Sequence, residues 1–245
     1  RFPIVGAYLY FEEDHNYLFR HKLEYKNLSE VEFEDVDYTD TSPNPNSIYA
    51  VGEYGLFIIR KFIPVTGIVT TAKELGTRER LYAIFILKDG IGNETGNFWI
   101  CGRRGTMLLS DDFCHTFKNQ DPKTSQDLFD VEFSDSLFGM AVGALGTIIW
   151  TDTGGALWKN ELSFPTEDLQ KNLNALKFYA PNKVIIVGDR GLVFILSYIN
   201  NVWTTQQVSI IKTEDSVTYY PIKTDLKAVD YDPNTKTAYI VGSSK

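Results

Sequence analysis

A short strand that ends in glycine recurs six times along the chain and constrains its fold more than any other feature. Each copy ends in two small or apolar residues and a glycine, and successive glycines lie 41 to 54 residues apart. Four copies carry a second glycine three residues later. A regular period of this length predicts a repeat architecture. The first glycines are Gly6, Gly52, Gly102, Gly143, Gly188 and Gly242, and the second are Gly55, Gly105, Gly146 and Gly191.

Two further elements keep phase with the glycines. Five of the corners follow an apolar-x-x-apolar-x-aromatic (or isoleucine) stretch, whose last two members alternate and so share one face of a strand. Phe117, Trp158 and Trp203 each lie 12 residues after the second glycine of their own corner. Each unit therefore predicts four strands, named a to d, with the glycines at the b–c corner. The five stretches begin at Phe33, Leu81, Leu128, Leu173 and Leu226.

Four strands in a repeat of 40 to 50 residues are typical of a β-propeller blade. A tight b–c corner favours positive φ, which glycine adopts readily. A phosphate-binding glycine loop would instead precede a helix, whereas strand-like sequences follow at 147–151 and 192–197. We therefore expect an all-β fold, a single propeller domain over residues 1–245. Its repeats are predicted near 1–23, 33–62, 81–117, 128–158, 173–203 and 226–245.

The number of blades has two solutions. Five blades result if residues 226–242 supply strands a and b of a closing blade and residues 7–23 supply its strands c and d. Alternatively, the chain is an excerpt from a propeller of six or seven blades.

The sequence LFDVEFSDSLFGMAVGALGTIIWTDTGGALW, which begins at Leu128, resembles a blade of the photosystem II stability/assembly factor-like β-propellers. Those belong to the Asp-box (BNR type) group shared with sialidases and sortilin-type receptors. The similarity is close over 126–158, good over 98–117 and 173–203, and faint elsewhere. It implies a role in assembling a membrane-bound photosynthetic complex from the lumenal side.

The resemblance also implies Asp boxes, which stabilise the c–d turn by binding backbone N–H groups. The motif is Ser/Thr-x-Asp-x-Gly-x-Thr-Trp. One copy keeps most of it but has Cys114 where glycine belongs, a second has Thr153 in place of the aspartate, and a third has Tyr198 there. The expected box residues are Ser110, Asp112, Thr116 and Phe117, then Thr151 and Trp158, and finally Trp203.

Composition excludes several functions. The net charge of −8 argues against nucleic-acid binding, which needs a basic surface. No apolar run is long enough to span a membrane. His15, His21 and His115 lack metal-ligand spacing, and no catalytic motif stands out. We expect no catalytic residues, no metal and no cofactor. Cys101 and Cys114 could be bridged, or buried and reduced.

The b–c corners and the d-to-a connections between blades are predicted to share one face of the propeller. The connections 63–80, 118–127, 159–172 and 204–225 are expected to be long loops, where binding sites concentrate. Arginine there suits carboxylates and protein partners. The partner-binding residues expected on this face are Arg103, Arg104, Arg190, Tyr54, Glu53 and Arg78.

These observations predict a non-catalytic scaffold that binds a protein or peptide partner, as an assembly factor or as a subunit of a larger complex. The alternative is a glycan-binding or sialidase-like propeller, in which Arg78, Arg103 and Arg190 would converge on a carboxylate near Tyr54 and Glu53. The usual Arg-Ile-Pro opening of that class is absent. An organelle lumen and a secreted or surface location both remain open.

Overall fold

The computed structural model describes residues 32–41, 44–63, 67–160, 170–208, 211–214, 218–221 and 223–243. The Gly6 corner, the repeat near 1–23 and its proposed closing strands lie outside these residues. The described part is built from antiparallel sheets in chain order. Its strands are β1 Phe33–Thr41, β2 Asn44–Gly52, β3 Leu56–Ile63, β4 Gly67–Glu74, β5 Leu81–Lys88, β6 Glu94–Gly102, β7 Met107–Ser110, β8 Lys118–Asn119, β9 Leu128–Phe133, β10 Gly139–Gly143, β11 Ile148–Thr151, β12 Leu173–Ala180, β13 Lys183–Gly188, β14 Val193–Ile199, β15 Val202–Gln207, β16 Ile211–Glu214, β17 Thr218–Pro221, β18 Leu226–Asp232 and β19 Thr237–Gly242.

Four of the sheets are blades with consecutive strands paired. Blade 1 is β1–β4, blade 2 is β5–β8 and blade 4 is β12–β15. Blade 3 contains β9–β11, and its fourth strand is reduced to a single β-bridge between Trp150 and Lys159. The hairpin β18–β19 corresponds to strands a and b of blade 5, and β16–β17 is a separate hairpin before it.

The a strands β1, β5, β9, β12 and β18 contact one another in that order. Together they line a cavity of about 640 Å³. Each a strand sends alternate side chains to the preceding and the following blade, as the period of two requires. Leu81, Ile84 and Ile86 pack against blade 1, whereas Ala83 packs against blade 3. The hydrophobic core is thus a series of layers between successive blades.

Three of the predicted loops contain strand residues, and the expected connection 118–127 begins with both residues of β8. The expected d-to-a connection 63–80 includes β4, so blade 1 continues to Glu74. The expected connection 204–225 includes the end of β15 and both strands of the β16–β17 hairpin. The prediction was wrong there because blade 1 has glycine and no aromatic 12 residues after Gly55, and in blade 4 Trp203 marks only where strand d begins. The connections that remain are shorter than the sequence suggested.

The periodic aromatics lie between blades. Phe117 packs edge-on against Phe57 of blade 1, with ring centroids 5.3 Å apart. Trp158 is fully buried, contacts Phe133 edge-on, and donates its indole N–H to Gln120 of blade 2 at 3.0 Å. Trp203 packs against Trp150 of blade 3. Each aromatic thus joins its own blade to the preceding one.

Candidate functional site

The b–c corners of blades 1 to 4 share one backbone geometry. The first glycine is extended, with φ of −173°, −171°, −170° and −158° in the four copies. The second glycine has positive φ, between 69° and 74°. The residue before it also lies in the left-handed region, with φ between 53° and 58°. These left-handed residues are Tyr54, Arg104, Leu145 and Arg190.

The first glycine is required by a close approach and not by its φ. A Cβ on Gly143 would lie 1.9 Å from the carbonyl oxygen of Asp127, and one on Gly102 would lie 2.3 Å from that of Arg80. The same carbonyl accepts the N–H of the next corner residue, as in Ala144 to Asp127 at 2.8 Å. The expectation that the corner glycines serve positive φ is therefore wrong for the first of each pair.

The following blade fixes the left-handed residue in place. The N–H of Arg104 donates to Asp127 Oδ1 at 2.9 Å, and that of Arg190 donates to Asp225 Oδ1 at 3.0 Å. The N–H of Leu145 donates to Asn172 Oδ1 at 3.3 Å. Each acceptor immediately precedes an a strand. Sequence reasoning missed this contact, although an Asp or Asn before the strand's first leucine was its signal.

We call the b–c corner residues of blades 1 to 4 the corner rim; they are Glu53, Tyr54, Arg103, Arg104, Ala144, Leu145, Asp189 and Arg190. Arg103, Arg104 and Arg190 are exposed, and 68% of the Arg104 side chain is accessible. Arg104 forms an ion pair with Glu79 at 3.2 Å. Among the described residues, the guanidinium groups of Arg103 and Arg190 have no ion pair.

The other predicted site residues differ in how accessible they are to a partner. Tyr54 is exposed, and Arg78 is exposed in the connection before blade 2. Glu53 is half-buried and pairs with Arg80, which also binds Glu32 at 3.2 Å and Glu34 at 3.3 Å. Glu53 therefore belongs to an ion-pair network between blades 1 and 2. The accessible part of the corner rim is mainly cationic and aromatic.

The Asp-box positions form turn contacts on the opposite face. Asp112 accepts the N–H of Thr116 at 2.8 Å and the Ser110 hydroxyl at 2.8 Å. Hydrogen bonds from Thr116 lower the pKa of Asp112. In blade 3 the Thr153 hydroxyl accepts the N–H of Leu157 at 2.9 Å, the role that the displaced aspartate would have had. Thr151 Oγ1 accepts the N–H of Gly155 at 3.0 Å.

The cavity lined by the a strands contains an arrangement of carboxylates that the sequence analysis did not identify. Asp35 and Asp37 of blade 1 accept the N–H groups of Ile84 and Ile86 in blade 2, at 2.9 and 3.0 Å. We call these contacts, in which an acid of one a strand binds the backbone of the next a strand, the carboxylate clamps. The N–H groups lie on the inner edge of the sheet, where no further strand can pair with them.

The same clamps join blades 3 and 4. Asp130 accepts the N–H of Leu176 at 2.8 Å, and Glu132 accepts that of Phe178 at 2.6 Å. Glu132 also forms an ion pair with Lys177 at 2.7 Å. Burial raises the pKa of Asp130 to about 7, and it raises the pKa of Glu132 as well. These acids are engaged in joining blades.

Other kinds of site find little support in the described part of the chain. No group of three or more potential metal ligands was found there. No helix in the same residues is long and apolar enough to cross a membrane. Cys101 and Cys114 are buried and unbridged.

No protein-family model matches the chain, and no curated protein matches it. The structure of YCF48 bound to D1 peptide superposes with a TM-score of 0.57 at 12% identity, covering 86% of this chain and 60% of that one. YCF48 from Cyanidioschyzon merolae gives a TM-score of 0.54 at 16% identity, covering 82% and 61%. An ancestral GH74 enzyme gives 0.56 at 14% identity, covering 82% and 26%.

These proteins are β-propellers, so the predicted fold class is confirmed. The chain spans about three fifths of the length of the two YCF48 structures. At these identities the similarity shows the fold alone.

Proposed function

We propose that this chain is a non-catalytic propeller scaffold that binds a protein or peptide partner on the corner rim, as an assembly factor or a subunit of a larger complex. The observation that carries the proposal is the set of exposed arginines at equivalent corner positions. Arg104 and Arg190 occupy the same left-handed slot in blades 2 and 4, and Arg103 precedes one of them. Guanidinium groups are enriched where protein interfaces concentrate their energy.

The fold does not need arginine at these positions. Leu145 occupies the same slot in blade 3 with the same backbone conformation, and its N–H is bound in the same way. The contact that holds the corner is made by the main chain. The side chains of Arg103 and Arg190 are therefore available for a ligand, and that of Arg104 stays largely accessible beside its ion pair with Glu79. A propeller of similar fold is known with a bound peptide.

Photo-crosslinking tests the proposed surface. A benzophenone amino acid would replace Leu145 on the corner rim or Leu137 on the opposite face, since these side chains are 51% and 58% exposed. We expect adducts in the source cells from position 145 and none from position 137. Adducts from position 137 alone would place the partner on the opposite face.

A second set of variants separates binding from folding. Arg103→Ala, Arg104→Ala and Arg190→Ala combined should abolish the adducts from position 145 and leave the melting temperature unchanged. The matched control changes Lys118, Lys183 and Lys236, three exposed lysines of the opposite face, to Ala. The control should keep the adducts, and loss of adducts in both would indicate a general charge effect.

A glycan-active propeller is the second candidate, favoured by the similarity to a GH74 enzyme. In this reading Arg78, Arg103 and Arg190 would bind a substrate carboxylate. Fluorogenic sialosides and β-glycosides are the appropriate probes. Turnover that disappears in the Arg103→Ala variant would establish this function and refute the non-catalytic one.

A further inference from the structure

The outer edge of blade 4 is an unpaired strand of unusual composition. β15 reads VWTTQQ and contains no charged residue and no proline. Natural proteins protect exposed strand edges with charges, proline, bulges or very short strands. Blades 2 and 3 follow that rule, since β8 has two residues and begins at Lys118 and blade 3 ends in a single bridge at Lys159. In blade 1, β4 ends in the charged pair Lys73 and Glu74.

Hydrogen bonding determines which groups of β15 face outward. The N–H of Val208 donates to Val193 of β14, and the Thr204 hydroxyl bonds to Ser197 of β14. The N–H of Tyr198 donates to the carbonyl of Asn182, on the β13 side of β14. Even-numbered residues of β14 therefore face β13, and odd-numbered ones face β15. Since main-chain groups alternate along an antiparallel strand, the even-numbered residues of β15 face β14.

The odd-numbered residues therefore present a free edge. The N–H and C=O groups of Trp203, Thr205 and Gln207 point away from β14, and β15 has no other strand partner among the described residues. Thr204 to Gln207 are all exposed. The edge lies at the periphery of the propeller, where a second molecule can approach it.

We propose that the free edge of β15 pairs with β15 of a second copy of this chain, in antiparallel orientation about a two-fold axis through Thr205. Because outward-facing residues pair with outward-facing residues, Thr205 lies opposite Thr205 of the partner and Trp203 lies opposite Gln207. Blade 4 of the two copies then forms one continuous eight-stranded sheet. The interface is isologous, as two-fold dimers require.

The sequence of β15 is compatible with itself in this register. Thr205 forms a threonine pair with its counterpart, Thr204 faces Gln206, and Val202 faces Val208, so no like charges are opposed. Cross-strand threonine pairs are favourable, whereas like charges directly opposite are destabilising. The absence of charge that leaves this edge unprotected is what permits the pairing.

A charge-swap experiment tests the two-fold register by sedimentation or light scattering. We expect the unaltered chain to have twice the monomer mass. Thr205→Lys and Thr205→Glu should each be monomeric, because each would place two like charges directly opposite one another at the two-fold axis. An equimolar mixture of the two variants places opposite charges there and should recover the dimer. Thr204→Lys is the matched control, since position 204 faces Gln206, and it should remain dimeric.

Each other result overturns the proposal. A dimer that survives Thr205→Lys uses another surface, and a mixture that stays monomeric rules out the axis at Thr205. Hydrogen exchange provides a second readout, in which the amides of Trp203, Thr205 and Gln207 should be protected. Protection of these amides in a monomeric chain would mean that the chain's own residues cover the edge.

Discussion

At the scale of single residues, the corner glycines show how one residue type serves two requirements. Gly143 is extended, so an alanine could adopt its φ, but the carbonyl of Asp127 occupies the space of a Cβ. Gly146 is needed for a different reason, because its φ of 70° lies in the left-handed region that favours glycine. The glycine period predicted the corner correctly, but it could not distinguish close approach from positive φ, because both select glycine.

Gly143→Ala should lower the free energy of unfolding by about 2 kcal/mol or more, because the added Cβ displaces backbone. Gly90→Ala is the control, since no atom lies within 4 Å of its Cβ position. The control should change stability by less than about 0.5 kcal/mol. Urea denaturation measures both, and equal values would contradict the close-approach explanation.

Trp158→Ala should lower the free energy of unfolding by about 3–5 kcal/mol, because this buried ring fills the layer between blades 2 and 3. The neighbouring Leu157 is half exposed, so Leu157→Ala serves as the control and should have little effect. The midpoints of chemical denaturation give the comparison. A midpoint for Trp158→Ala close to that of the original chain would refute the assigned packing role.

At the scale of elements, the carboxylate clamps explain why acids occur inside otherwise apolar a strands. Asp130 and Glu132 alternate with Val131 and Phe133, so one side of β9 packs on blade 2 while the other binds the backbone of blade 4. Strand periodicity predicted β9 and its apolar side. The partner of the acids was not predictable, because it is the main chain of a strand about 46 residues away.

The clamps predict a pH dependence of stability. The folded chain holds a proton on Asp130 more tightly than the unfolded chain, since burial raises its pKa to about 7. This contribution is complete below about pH 4 and is lost as pH rises through about 7, by at most about 1.4 kcal/mol per pH unit. Asp35 and Glu132 shift in the same direction.

Denaturation of the Asp130→Asn variant between pH 4.5 and 8 should show a smaller loss of stability with rising pH than the original chain. Asp135→Asn, at an exposed carboxylate of the a–b turn in blade 3, is the control and should keep the original slope. Parallel pH profiles for the original chain and Asp130→Asn would show that Asp130 does not contribute to the dependence.

At the scale of the whole molecule, stability resides in the layers between blades. Cys114 lies in the layer between blades 1 and 2, and Cys101 lies in the layer between blades 2 and 3. Burial raises the pKa of both thiols. The two cysteines therefore report on the closure of successive layers.

Neither thiol should react with a disulfide reagent in the native chain at pH 8, and both should react in denaturant. The expected count is two, because the cysteines are unbridged. Cys101→Ser and Cys114→Ser assign any slow reaction to one layer. Rapid reaction of a native thiol would show that its layer is open to solvent.

The alternation of the carboxylate clamps has a consequence for building new proteins from this chain. Blades 1 and 3 supply acids, whereas blades 2 and 4 carry alanine at the position equivalent to Asp35 and Asp130, namely Ala83 and Ala175. The charge of Asp35 already raises the pKa of Asp130 across an intervening blade. Duplicating an acidic blade beside itself would bring two such buried charges closer together. A designer who lengthens or recombines this propeller should therefore treat two consecutive blades as the smallest transferable module.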